Sequence, residues 1–360
     1  MARTHVLIFL ASLLCSLALA QDDCYEVDGN NVGEEYKLAL DVCAIKDALD
    51  SPDFDAAREI YEMGKNSQSL TLMEVATAEY PTDMYQKYAV FFGDQVWMHT
   101  KIDQALSGEG DFDTDVKRVQ VVNKLLQASV LVQQFFFHID SALAKITANN
   151  AEGALNSLDK ALAVYYGGDI QCSPFGNGQA RGIEFGTVAD GVSTTNTKVH
   201  TAIKEAGEAL SAEDTSGAFE IVQDTRTEVV KQVTIIYIQS SFKYATLVVD
   251  GLEAEADVEK SLAEGYAYYQ AIYPIIADVD PEGAAAIAAA FSLSEVADEE
   301  SAEEVIPIFR ENFDKLSIVE GDVMEFDKDA AANYEEPEET SCVLENPFSS
   351  DDFGKPKVDR

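Results

Sequence analysis

Positive charge is scarce in this sequence: 25 Lys and Arg stand against 65 Asp and Glu in 360 residues, a formal net charge of -40. Nucleic acid and anionic membrane would both repel such a chain at long range, so neither is expected as a partner. Histidine is rarer still, with four residues. Val96, Phe135 and Thr197 stand three places before His99, His138 and His200. The Glu-x-x-His signature of ferritin-like di-iron bundles is therefore excluded. Also missing are the G-x-S-x-G nucleophile elbow, H-E-x-x-H, the phosphate-binding G-x4-G-K-[ST] and a G-x-G-x-x-G opening a helix after a strand. No enzyme class is indicated, and the chain is read as non-catalytic. Cysteines with the close spacing of a four-thiolate zinc site are absent as well. Beyond the N-terminus no apolar run reaches about 18 residues, so membrane insertion is not expected. Strand-period alternation is nowhere sustained except weakly around Val233 to Ile238.

The first residues belong to no fold. Arg3 precedes an apolar run from Val6 to Leu19, and Ala18-Leu19-Ala20 has the small-x-small form of a signal peptidase site. Residues 1–20 read as a signal peptide, which directs the product to a secreted, extracellular or periplasmic location. Removing them takes Cys15 and leaves Cys24, Cys43, Cys172 and Cys342 in an oxidising compartment. Two disulfides are expected, with three pairings open.

What remains reads as helix. Leu38, Val42, Ile45 and Leu49 write an amphipathic helix, Ser51-Pro52-Asp53 breaks it, and a second helix follows through Ile60. The spacing returns in Val199, Ile203, Ala206 and Leu210, at an offset of 161 that continues through Glu59/Glu220 and Ile60/Ile221. A second echo pairs Ser157-Leu158 and Tyr165 with Ser261-Leu262 and Tyr269. Their common order suggests an internal repeat. The expected architecture is all-α: unit 1 over residues 21–168 with an insertion near 66–115, a disulfide-containing connecting loop over 169–195, unit 2 over 196–326, and an acidic tail over 327–360. The segment Gly176-Asn177-Gly178 to Gly182 reads as flexible loop.

A hard cation such as ferric iron prefers carboxylate and phenolate oxygen, with an imidazole at most. Residues of those types recur at matched places. Glu59 and Glu220 repeat a carboxylate; Tyr165, Tyr166, Tyr268 and Tyr269 supply phenols at two helix ends. His99 and Asp103 share one helix face, being four apart, while His138 and Asp140 interrupt an apolar stripe with Gln133 and Gln134. Arg181 suits an anion that would complete a metal's coordination, with Glu184 three residues on. The candidate metal set is Glu59, His99, Asp103, His138, Asp140, Tyr165, Glu184, Glu220 and Tyr269, with Arg181 as anion site. Each of these residues also has a plainer reading as packing or as a local ion pair.

EEYKLALDVCAIKDALDSPDFDAAREIYEMGKNS, beginning at Glu34, and AVYYGGDIQCSPFGNGQARGIEFGT, beginning at Ala163, resemble the algal Fe-assimilating proteins. These are low-iron-inducible periplasmic proteins of green algae, with relatives in other marine microalgae. The resemblance implies secretion, a link to iron uptake, and iron bound through acidic and histidine-containing motifs. The nearest matches to such motifs are Glu299-Glu300-x-x-Glu303 and His200-x4-Glu205. Together these readings give an exported protein that binds ferric iron and passes it to a membrane iron reductase or permease. The alternative is a cell-wall or protein-interaction module whose expression responds to iron or carbon dioxide.

Overall fold

A computed structural model describes residues 32–333. The signal peptide, Cys24, Cys342 and all of the tail beyond Asn333 lie outside that range. The all-α expectation holds. The chain opens with α1 (Gly33–Leu49), α2 (Phe54–Met63), α3 (Leu72–Thr77), α4 (Asp83–Phe92) and α5 (Trp97–Ser107). Next, α6 (Asp115–Leu125) runs through a π turn (Leu126–Val130) into α7 (Leu131–Thr147), and α8 (Ala151–Tyr166) packs along α7. A 3-10 turn (Ile170–Cys172) then precedes α9 (Pro174–Glu184), followed by a two-residue hairpin of β1 (Val188–Ala189) and β2 (Val192–Ser193). The second half contains α10 (Thr194–Ser211), α11 (Ala218–Glu253), α12 (Glu259–Gln270), α13 (Tyr273–Val279) and α14 (Pro281–Ala290). It ends in the short α15 (Glu299–Glu303), α16 (Val305–Glu311), α17 (Glu320–Val323) and α18 (Lys328–Ala332).

Local chemistry explains about half of the helix starts. Asp53, Thr82, Thr114, Asn150, Asp280 and Asp298 each accept a first-turn backbone N–H, and Thr71 with Glu74 forms a full capping box. Asp190-Gly191 turns the hairpin, both at positive φ (54° and 85°), the conformation that a tight two-residue loop demands.

One apolar core runs from Val32 to Val323. Within it α6, from the first expected unit, packs against α12 from the second, and α7 packs against α11. The units therefore share their interior, and the repeat stays a pattern of sequence. Cys43 and Cys172 form a disulfide, Cα to Cα 5.5 Å, that ties α1 to the turn just before α9.

The connecting segment departs from expectation most. Residues 174–184 form a helix, although glycine at 176, 178 and 182 reads as loop. Ser173 caps the helix by accepting from the Gly176 N–H, and Pro174 fits its first turn. The glycines serve close approach: a Cβ on Gly178 would lie 2.3 Å from Asn196 Oδ1, and one on Gly182 2.6 Å from the Ser193 Cβ. Packing, rather than helix propensity, selects the residues here.

Candidate functional site

Because α9 lies so close to α10 and α11, the side chains on its inner face are dehydrated. Arg181 is 6% exposed and Glu184 4%. The 3-10 turn leading into α9 is held in part by the π turn, whose Gln127 side-chain amide donates to the Gln171 carbonyl at 2.7 Å and to the Ser173 carbonyl at 3.3 Å. The Asp327 N–H donates to the Glu184 carbonyl at 2.8 Å at the other end of α9.

Arg181 stands at the centre of a buried charged cluster drawn from α6, α9, α11 and α12. Its Nη2 meets Glu184 Oε2 at 2.8 Å, and Lys243 Nζ meets Glu184 Oε1 at 2.7 Å. On the far side Lys124 lies 3.6 Å from Glu264. Tyr237, Tyr244 and Tyr268 stack through these charges, with ring centroids 5.9 and 5.6 Å apart. Asn177 bridges two of the phenols: its amide donates to Tyr237 at 3.4 Å, and its carbonyl oxygen accepts from Tyr268 at 3.3 Å. Three cationic side chains thus face two carboxylates, and the imbalance is positive within a strongly acidic protein.

The groups shift one another's protonation. Burial opposes the charge on Arg181, but Glu184, Tyr244 and Tyr268 hold it firmly protonated. Burial and the neighbouring guanidinium push the Lys243 pKa down, against the pull of Glu184. For Lys124 burial is outweighed by Tyr268 and Glu264, which raise the pKa. Burial, reinforced by Glu264 and Tyr268, drives the Tyr244 phenol well above its ordinary range. Despite this crowding, Arg181 Nε and Nη1 make no hydrogen bond of good geometry among the described residues, although the Tyr244 phenol is within reach of the guanidinium. An unpaired buried guanidinium N–H is costly, and an oxyanion would satisfy it. The phenols and carboxylates around it are the hard oxygen donors that a trivalent cation prefers. The cluster thus has the donor chemistry for a hard cation together with a small anion.

The structure brings together only part of the expected site. Arg181 and Glu184 are in it, with Tyr268. The other candidates sit apart, the buried and half-buried ones with protein partners of their own. His99 Nδ1 is 3.0 Å from the Tyr61 hydroxyl, and Asp103 pairs with Arg58. His138 lies under α1, its Nε2 3.0 Å from the Gln134 side-chain nitrogen, while Asp140 pairs with Arg226. Tyr165 donates to Asn196 at 2.7 Å and Tyr269 to the Ala284 carbonyl at 3.0 Å, both inside the core. Glu59 and Glu220 are exposed on α2 and α11. Glu299, Glu300 and Glu303 are likewise exposed, and His200 is occupied with Tyr166 at 2.7 Å. The expected convergence fails because matched positions in two copies of a pattern need not face one another across a shared core. Among the described residues one group of three His, Cys, Asp or Glu side chains has metal-ligand spacing: Cys43, Asp169 and Cys172. Its sulfurs are joined in the disulfide.

Sequence reasoning missed Lys124, Asn177, Tyr237, Lys243, Tyr244 and Glu264. A signal was present. Lys243 interrupts the apolar face of the longest helix, and Glu264 stands between Ala263 and Gly265 on an otherwise buried stretch of α12.

A family model described as low iron-inducible periplasmic protein matches residues 10–267. That range holds every member of the cluster except Tyr268, the residue just beyond its end. No curated protein and no solved structure matches the chain.

Proposed function

From the premise that this chain belongs to the low iron-inducible periplasmic protein family, we propose that it binds ferric iron outside the cytoplasm, without catalysis, as a step in iron assimilation. The family description is periplasmic, and no helix among the described residues is long and apolar enough to cross a membrane. The observation that carries the reading is the Arg181 guanidinium, buried with Nε and Nη1 lacking a hydrogen bond of good geometry, beside the oxygen donors Glu184, Tyr244, Glu264 and Tyr268.

Ferric iron is the cargo. Tyr244 and Tyr268 supply phenolate oxygen to it, Glu264 and Glu184 supply carboxylate, and Arg181 holds a small oxyanion that balances charge. Lys243 and Lys124 keep the two carboxylates oriented while the site is empty of cargo. The acidic surface raises the local concentration of cations around the molecule. Delivery to a membrane iron reductase or permease follows from the same reading.

Equilibrium dialysis against ferric citrate tests it. One ferric ion per chain is expected, with Arg181→Ala weakening uptake at least tenfold and Glu59→Gln leaving it unchanged. No uptake at micromolar iron, or equal uptake by Arg181→Ala, would remove the proposal.

A further inference from the structure

The cluster lies behind a piece of chain that the family match does not reach. After Ile318 the chain turns back and crosses α9 and α11 as α17, an extended stretch through Phe326, and α18. Phe326 packs against Phe185 with tilted rings, centroids 5.6 Å apart, and its ring centroid lies 5.9 Å from Lys243 Nζ. The crossing is pinned to the site's own elements: Asp327 N–H donates to the Glu184 carbonyl at 2.8 Å, and the Gln239 amide of α11 to the Val323 carbonyl at 3.0 Å. Outside the Phe185–Phe326 pair is a surface cavity of 750 Å³, lined also by Glu320, Met324, Glu325, Asp327, Lys328 and Asp329.

The attachment combines a tight seal with a weak hold. The pairs fastening the segment from outside are largely solvent-exposed: Lys328 with Asp250, and Arg310 with Glu320 and Glu325. Only Asp322, between Lys198 at 3.1 Å and Lys231 at 3.7 Å, is well shielded. Exposed pairs of this kind contribute little to stability. Two residues on the path, Ser317 (φ 56°) and Met324 (φ 62°), are held at positive φ without being glycine. For Met324 the accompanying ψ of -167° is a region that glycine alone enters readily. Strain at that point favours a segment that can let go.

We propose that residues 318–332 form a strap whose Phe326 seals the Arg181 cluster, and that its lifting limits how fast a ligand enters and leaves. The inference rests on the iron reading only for the identity of the ligand. The strap's action on access is independent of it. Opening separates Phe326 from Phe185 and connects the cavity to Lys243 and, behind it, to Glu184 and Arg181. The acidic lining of the cavity then draws a cation inward rather than an anion.

Two readouts on the full chain separate the strap from the cargo. In metal-free protein, acylation of Lys243 by acetic anhydride is followed by mass spectrometry, with the exposed Lys46 as internal standard. Phe326→Ala is expected to raise the Lys243 rate at least fivefold relative to Lys46. Lys328→Glu, which sets like charges against Asp250 and leaves every core contact in place, is expected to raise it about twofold; Met324→Gly, which relieves the strained backbone, is expected to lower it. In iron-loaded protein, the rate of transfer to a chelator follows the same order while stoichiometry stays constant. Unchanged Lys243 labelling in both Phe326→Ala and Lys328→Glu overturns the strap, even if iron binds. Labelling that responds in a protein that takes up no iron supports the strap and removes the iron reading.

Discussion

At the scale of single side chains, burial works against the charged form of both His138 and Arg181, yet only Arg181 has neighbours, Glu184, Tyr244 and Tyr268, that keep it protonated. Burial holds the His138 imidazole neutral, with help from Lys160 and Lys145, and brings its pKa from 6.5 down to about 3. Glu35 Oε1 is only 3.6 Å away, but Lys160 already neutralises that carboxylate at 2.7 Å. A histidine whose folded pKa is depressed binds fewer protons folded than unfolded, so its stabilising contribution is present above pH 6.5. It is lost as pH falls toward 3, by up to about 1.4 kcal/mol per pH unit. His138→Gln is therefore expected to flatten the acid limb of stability over that window. Urea denaturation at several pH values checks it, and parallel pH profiles for the two proteins would contradict it. The proposed site is sensitive to acid in the same direction, through its ligands. Each phenol that binds iron must release its proton, and Tyr244 resists doing so because its pKa is raised well above 10.0. Iron affinity should therefore fall about tenfold per pH unit of acidification for each phenol ligand. Competition with a chelator between neutral and mildly acid pH measures the slope.

At the scale of the element, α9 shows why a helix was hidden. Glycine costs about 1 kcal/mol relative to alanine inside a helix, so propensity alone favours Gly178→Ala. The structure gives the opposite sign. The added Cβ would lie 2.3 Å from Asn196 Oδ1 and 3.0 Å from Ile236 Cδ1, forcing α9 away from α10 and α11. A net loss of about 1–3 kcal/mol is expected in chemical denaturation, with weakened iron uptake because Arg181 and Glu184 move with the helix. Gain of stability would contradict this account of the packing. The longer helices were legible for a plain reason. In α11 the valines and isoleucines recur at helical spacing from Val222 to Val248, and in α1 Leu38, Val42, Ile45 and Leu49 do so. Residues 174–184 carry almost no such stripe, because their neighbours approach the backbone itself. The π turn was equally invisible, since nothing in Leu126–Val130 but Gln127 and Ser129 breaks the apolar run.

At the scale of the whole molecule, the cluster was legible only where its residues are neighbours in sequence. Arg181 and Glu184 stand one helical turn apart, whereas Lys124, Lys243 and Glu264 arrive from three other helices by tertiary packing. No periodicity connects such positions. Long-range ties hold the arrangement, and the Cys43–Cys172 bridge spans a sequence separation of 129 residues directly before α9. Replacing both cysteines by serine is expected to lower stability by roughly 2–5 kcal/mol, read from the urea midpoint. The net charge of -40 makes a second prediction at this scale: iron capture should slow as ionic strength rises, because salt screens the long-range attraction. The most direct measurement of the central claim is titration of the purified protein with ferric citrate, watched in the visible range where iron–phenolate bonds absorb. One equivalent should develop the band, Tyr244→Phe with Tyr268→Phe should abolish it, and Tyr165→Phe or Tyr269→Phe should leave it intact. A band that survives the Tyr244/Tyr268 double variant, or never forms in the unmodified protein, would contradict the account.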